Sequence, residues 1–153
     1  RTREIVEAYT QQYTFLKLID NPQRTVPYAL NIGIEKAKGE IIVRIDAHSS
    51  FPNNYVSTLV HYLDCLPNAQ NVGVPCVTQT LGKTRKAKAI MAVLSNRFGV
   101  GNSTFRLGID TVQSVDTVPF GCWKKQTLYD VGMFDVSTRS VLVSKQKDLA
   151  IDG

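Results

Sequence analysis

The stretch that most constrains this chain is Gly39–Ser50, GEIIVRIDAHSS. Ile41, Ile42, Val43 and Ile45 make a short β-branched apolar run, the pattern of a strand buried on both faces of a parallel sheet. Gly39 punctuates the junction with a preceding helical segment, as a C′ glycine does. At the carboxyl end the polarity flips to Asp46-Ala47-His48-Ser49-Ser50. Open α/β sheets bind ligands outside the carboxyl ends of their strands. A carboxylate and an imidazole two residues apart at that edge can share one cation with a ligand's phosphates. The plainer alternative is that Asp46 caps a turn and His48 is merely exposed.

A chain of 153 residues fits one domain and can bury about 70% of its extended surface. No apolar run approaches the roughly 18 residues that span a bilayer. The opening on Arg1 rather than Met reads as a processed or excised piece. Cys65, Cys76 and Cys122 are odd in number and widely spaced, so neither a disulfide framework nor a zinc site is indicated. A reducing cytoplasm is the simplest home for them. The net charge of +5 favours anionic partners without choosing among nucleotide-sugar, nucleic acid and anionic lipid.

Along the chain, Arg1–Tyr13 reads as an amphipathic helix with Ile5, Val6, Tyr9 and Tyr13 on one face. Thr14–Ile19 reads as a strand closed by Asp20-Asn21-Pro22. Thr25 can cap a helix that tolerates Pro27 in its first turn and buries Leu30, Gly33, Ile34 and Ala37. After the central strand, Phe51-Pro52-Asn53 opens a helix with Val56, Leu59, Val60 and Leu63 inward. Asn71–Thr78 reads as an edge strand or strand end, because Pro75 removes a ladder donor. Thr84 can cap a helix whose face is Ala87, Ile90, Met91 and Leu94. A Gly-, Asn- and Ser-rich loop follows over Phe98–Arg106. Val115–Phe120 reads as a strand, and Lys124–Val131 as a short helix ending at Gly132. Strands and helices alternate at βα spacing, so the class is α/β.

Several side chains can carry chemistry. A cation at Asp46 and His48 would neutralise a departing diphosphate, and the imidazole tilts the preference from Mg²⁺ towards Mn²⁺. His61 sits mid-helix and reads as an ordinary surface histidine. Leu81-Gly82-Lys83-Thr84 imitates the end of a P-loop, but position 77 is Val where the motif needs glycine, and the P-loop is rejected. Lys83, Arg85, Lys86 and Lys88 form a basic run without interleaved aromatics, which argues against nucleic acid. Arg106 can pair a phosphate or a sugar acid, or the loop that carries it is a simple connection. Asp116 precedes an apolar run, Gly121 follows it and permits close backbone approach, and Trp123 offers a ring to a sugar or simply packs.

In this order the pieces resemble family 2 glycosyltransferases of the GT-A fold, in the branch that builds bacterial exopolysaccharides such as succinoglycan. RTREIVEAY at Arg1–Tyr9 resembles the helix after that family's first Asp-rich turn. Asn21, Arg24 and PYALNIG at Pro27–Gly33 resemble the segment before the central strand. Gly39–Ser50 is similar to the Asp-x-Asp strand, with His48 in place of the second acid, and Phe98–Arg106, Asp116–Trp123 and VGMFD at Val131–Asp135 resemble later elements. The resemblance covers about residues 1–135 and leaves 136–153 as an unassigned tail.

That resemblance implies a GT-A-like, Rossmann-like layered fold with a mostly parallel sheet, lacking N-terminal strands and a C-terminal part. It implies an inverting transfer from a nucleotide-sugar to a saccharide or lipid-linked acceptor, dependent on Mn²⁺ or Mg²⁺ at Asp46 and His48. Asp46, Arg24 and Arg106 fall on the donor side, and Asp116, Gly121 and Trp123 on the acceptor side. The family's base belongs to a Glu-Asp pair that this chain lacks; Asp148 is the one weak substitute. A partial domain of this kind is expected to be inactive alone and prone to associate through an open strand edge. Its full-length parent is expected in the cytoplasm, at the membrane's cytoplasmic face. The rival is a non-catalytic basic module for nucleic acid or an anionic membrane surface, whose nucleic-acid affinity would fall steeply with salt.

Overall fold

Ile41–Val43 (β1) pairs along its length with Cys122–Lys124 (β4), and the pairing is antiparallel. A computed structural model describes residues 1–76, 84–94, 96, 112–115, 118–137 and 148–150. Within them Thr2–Gln12 (α1) and Val26–Lys36 (α2) precede β1, and Tyr55–Cys65 (α3) and Asn71–Gly73 (β2) follow it. Arg85–Leu94 (α4), Gln113–Val115 (β3), β4, Lys125–Asp130 (α5) and Asp148–Ala150 (β5) complete the order. The strands lie in the sequence β1-β4-β2-β5-β3.

The expected mostly parallel sheet holds for direction in β1, β2 and β5, but not for pairing. β4 is inserted between β1 and β2 and runs antiparallel to both, while β2 and β5 pair in parallel and β3 is antiparallel to β5. The tail beyond residue 135 therefore supplies a strand. Of the two alternatives for this segment, edge strand or strand end, β2 is not an edge strand, and Pro75 falls at a strand end. All three of its residues are buried and it sits between β4 and β5; Pro75 lies just past its end, where a missing donor costs the ladder nothing. Nor is there a strand over residues 14–19, which form a turn and irregular chain outside the sheet despite their β-branched and aromatic content. The expected strand over Val115–Phe120 is displaced, with β3 ending at Val115 and a turn at Pro119-Phe120 leading into β4. β1 is half-buried rather than buried on both faces, and Ile45 is 52% exposed. Among the described strands β1 pairs with β4 alone, so its other edge is open.

The two larger of the three core clusters among the described residues meet at the β1–β4 region, while Val118 forms a small third one with Val115. Tyr55, Leu59 and Leu63 of α3 close on Val72 and Cys122. The spacing i, i+4, i+8 turns the face of α3 away from the expected Val56, which is 46% exposed. In the second, Ile34 of α2 meets Trp123, Leu128 and Phe134. Gly132 has φ +82° and ends α5 as an αL residue, the role its position after the helix requires. Asn31 then fastens that corner to α2. Its Nδ2 donates to Phe134 O at 2.9 Å, and Phe134 N donates to its Oδ1 at 3.0 Å.

Burial of the first cluster has a consequence at high pH. It pushes the Cys122 thiol up from 9.0 to about 11, and the Tyr55 phenol up from 10.0 to about 12. Both groups keep their protons longer in the folded chain than in the unfolded one. Their contribution is whole below pH 9 and is lost as pH climbs towards 11 and 12. The urea midpoint is expected to fall between pH 8.5 and 11, and Cys122→Ala to blunt that fall. Over the same range a thiol reagent should label exposed Cys65 quickly and buried Cys122 only on unfolding. Rapid native labelling of Cys122 would contradict this packing.

Candidate functional site

The end of β1 is pinned before any ligand is considered. Arg44 N donates to Gly121 O at 3.1 Å, and Lys125 N donates to Glu40 O at 2.7 Å, so β4 holds both ends of the strand. Beyond it Ser49 N donates to Asp46 O at 3.1 Å, closing Asp46–Ser49 into a turn. The turn alternative for this segment is therefore realised in its backbone. His48 is exposed on that turn.

Asp46 is not free. Arg44 meets it as a two-pronged fork, Nε to Oδ1 at 3.0 Å and Nη2 to Oδ2 at 3.0 Å. Both side chains are about three-quarters removed from solvent. A fork of this kind fixes the carboxylate plane as a single hydrogen bond does not. Each carboxylate oxygen still keeps a lone pair for a cation. Arg44 carries no motif of its own; its signal was a lone cation inside an apolar strand, two residues before the acid.

Asp46 is among the residues that line a groove of about 420 Å³ between α2 and β1. Leu30 and Ile34 of α2, Ile42 of β1, Trp123 and Phe134 line it as well. Trp123 thus neighbours Asp46 across one groove, yet it is a core residue. It is 4% exposed, and Phe134 meets it edge-on at 6.1 Å and 87°. Its ring offers no open face for a sugar to stack on, which corrects the stacking role. Gly121 does mark a close approach, by a side chain rather than a ligand. A Cβ there would collide with Asn71 Oδ1 and lie 2.7 Å from Asn71 Cγ.

Arg24 is exposed with φ 54° in the turn before α2, where its N donates to Asn21 O at 3.2 Å and Asn21 Nδ2 donates to Thr25 O at 2.8 Å. Asp148 begins β5, opposite Asn71 of β2. Arg106, the Phe98–Arg106 loop, Asp116 and Lys83 lie outside the described residues. His61 is on the exposed face of α3, beside Cys65. Among the described residues no group of three or more His, Cys, Asp or Glu converges as a metal cage.

Residues 1–124 match the model of the glycosyl transferase family 2. The chain belongs to glycosyltransferase family 2. The α/β layers above are accordingly those of a GT-A domain, and the family is one of transferases that generally use a divalent metal. A relative, the succinoglycan biosynthesis protein ExoA of Rhizobium meliloti (strain 1021), is 30% identical over 109 residues. The match covers 70% of this family 2 chain and 32% of that relative, so the chain spans about a third of its length.

Proposed function

We propose that this chain forms the diphosphate-binding side of an inverting glycosyltransferase. It would move a hexosyl group from a nucleotide-sugar to a saccharide or lipid-linked acceptor in polysaccharide synthesis. The observation that carries the reading is Asp46, oriented by the Arg44 fork just past the carboxyl end of β1 and lining a groove. The succinoglycan role of the relative supports the polysaccharide assignment.

Asp46 and His48 would hold Mn²⁺ or Mg²⁺, and the imidazole favours Mn²⁺. When bound, the ion supplies Lewis-acid neutralisation of the leaving diphosphate. Arg44 fixes the carboxylate and adds a positive charge beside it. Arg24 and Arg106 are assigned to the donor's phosphates, and Asp116 and Gly121 to the acceptor side. Trp123 supports that side from within the core rather than by contact. The parent enzyme is placed in the cytoplasm, at the membrane's inner face.

Titration calorimetry of UDP with Mn²⁺ tests the site. Asp46→Asn should abolish the metal-dependent heat. Arg44→Ala should weaken binding roughly tenfold, the usual effect of removing a group that orients a ligand. Equal binding by wild type and Asp46→Asn would overturn the reading.

A further inference from the structure

We propose that two copies of this chain pair through β1, edge to edge and antiparallel, about a two-fold axis at Ile42. The register of the sheet shows which backbone groups are on offer. Arg44 N donates to Gly121 O and Lys125 N donates to Glu40 O, so residues 40, 42 and 44 turn their backbone groups towards β4. Successive residues of a strand alternate, and Ile41 and Val43 therefore turn theirs the other way. Among the described residues no strand lies on that side. Two N–H donors and two carbonyl acceptors thus stand in a row on a strand whose residues are only half-buried. The neighbouring flank of α2 is low. Ala29, Gly33 and Ala37 line the groove there, and a Cβ built on Gly33 would meet nothing within 4 Å.

Parity and charge select the partner strand. Hydrogen bonds across the new seam must join Ile41 and Val43 to the same two residues of the second copy, which forbids a slip of one residue. With Ile41 opposite Val43 of the second copy, Ile42 faces its own counterpart and Glu40 faces Arg44, twice by symmetry. Those facing pairs are of the non-hydrogen-bonded kind, in which side chains come closest. Glu40 is exposed and has no ion pair among the described residues. The fork to Asp46 occupies Nε and Nη2 of Arg44 and leaves Nη1 for a second carboxylate. A slip of two residues sets Lys38 against Arg44 one way and Glu40 against Asp46 the other, like charges in both cases. A parallel copy would make an open-ended contact rather than a closed dimer. A strand of another protein could form the same backbone bonds, but the order Glu40, Ile42, Arg44 is complementary to itself. None of this depends on a ligand at Asp46.

Analytical ultracentrifugation of the whole chain should show a monomer–dimer equilibrium, and hydrogen exchange should locate the seam. The Ile41 and Val43 amides should exchange at least about tenfold more slowly in the dimer than in the dilute monomer. The Ile42 and Arg44 amides, already turned to β4, should change little. Glu40→Arg should weaken the dimer roughly tenfold, because both facing pairs become two cations. Arg44→Glu should weaken it likewise. An equimolar mixture of the two variants should dimerise as the wild type does, since every facing pair then joins opposite charges. Two misfolded chains could not give that result. A monomer throughout, a dimer whose Ile41 and Val43 amides exchange as in the monomer, or a dimer untouched by Glu40→Arg overturns the proposal. So does a mixture of the folded variants that stays monomeric.

Discussion

Trp123→Ala is expected to cost the fold roughly 3–5 kcal/mol, the usual range for truncating a large buried aromatic. The ring is 4% exposed, packs edge-on against Phe134, and sits opposite Ile42 in the β1–β4 ladder. Its loss opens a cavity between α2, β4 and the Phe134 corner, where Leu128 is fully buried. A whole domain holds only about 5–15 kcal/mol, so the variant should keep little reserve. Each kilocalorie moves the midpoint of a chain this long by roughly 2–4 °C, so circular dichroism should record a fall of about 6–20 °C. Trp123→Phe should cost far less. The indole Nε1 is buried with no hydrogen-bond partner among the described residues, and an unpaired donor of that kind carries a penalty of about 1–3 kcal/mol that phenylalanine removes. A midpoint within a few degrees of wild type for Trp123→Ala would show that the ring is not part of the core.

Gly121→Ala is expected to combine a stability loss with a binding loss. The new methyl would enter the space of the Asn71 side chain, itself 2% exposed on a central strand. Overpacking at such a place costs about 1–3 kcal/mol. The strain has a route to the site, because the Gly121 carbonyl accepts the Arg44 amide that leads into the Arg44–Asp46 fork. UDP–Mn²⁺ affinity should therefore drop although no ligand-contacting group has changed. Asn71→Ala made together with Gly121→Ala should recover part of the stability, with a coupling of about 0.5–3 kcal/mol in a double-mutant cycle. Strict additivity would place the strain elsewhere.

The legible parts of this chain share a physical cause. α1, α2, α3 and α4 could be found from the recurrence of apolar residues every three or four positions. The end of α5 could be found from Gly132, whose φ of +82° suits a residue without a Cβ. The β1 strand and the polarity switch at Asp46 were equally visible, because a β-branched run ending in a carboxylate has few other uses. Motif order along the chain carried the family, since ordered motifs are preserved in one dimension.

What the tertiary structure alone decided depends on pairs distant in sequence. Whether β4 would lie between β1 and β2 is set by which strands find each other, and no local period encodes that. Residues 14–19 had strand composition and formed no strand, because strand propensity is realised only against a partner. The partner of Asn31 is likewise invisible to any local pattern, because Phe134, whose carbonyl accepts its amide, lies 103 residues away. Trp123 was written in the sequence as an aromatic after a glycine, equally suited to a sugar and to a core. The packing of Ile34, Leu128 and Phe134 around it assigned it to the core.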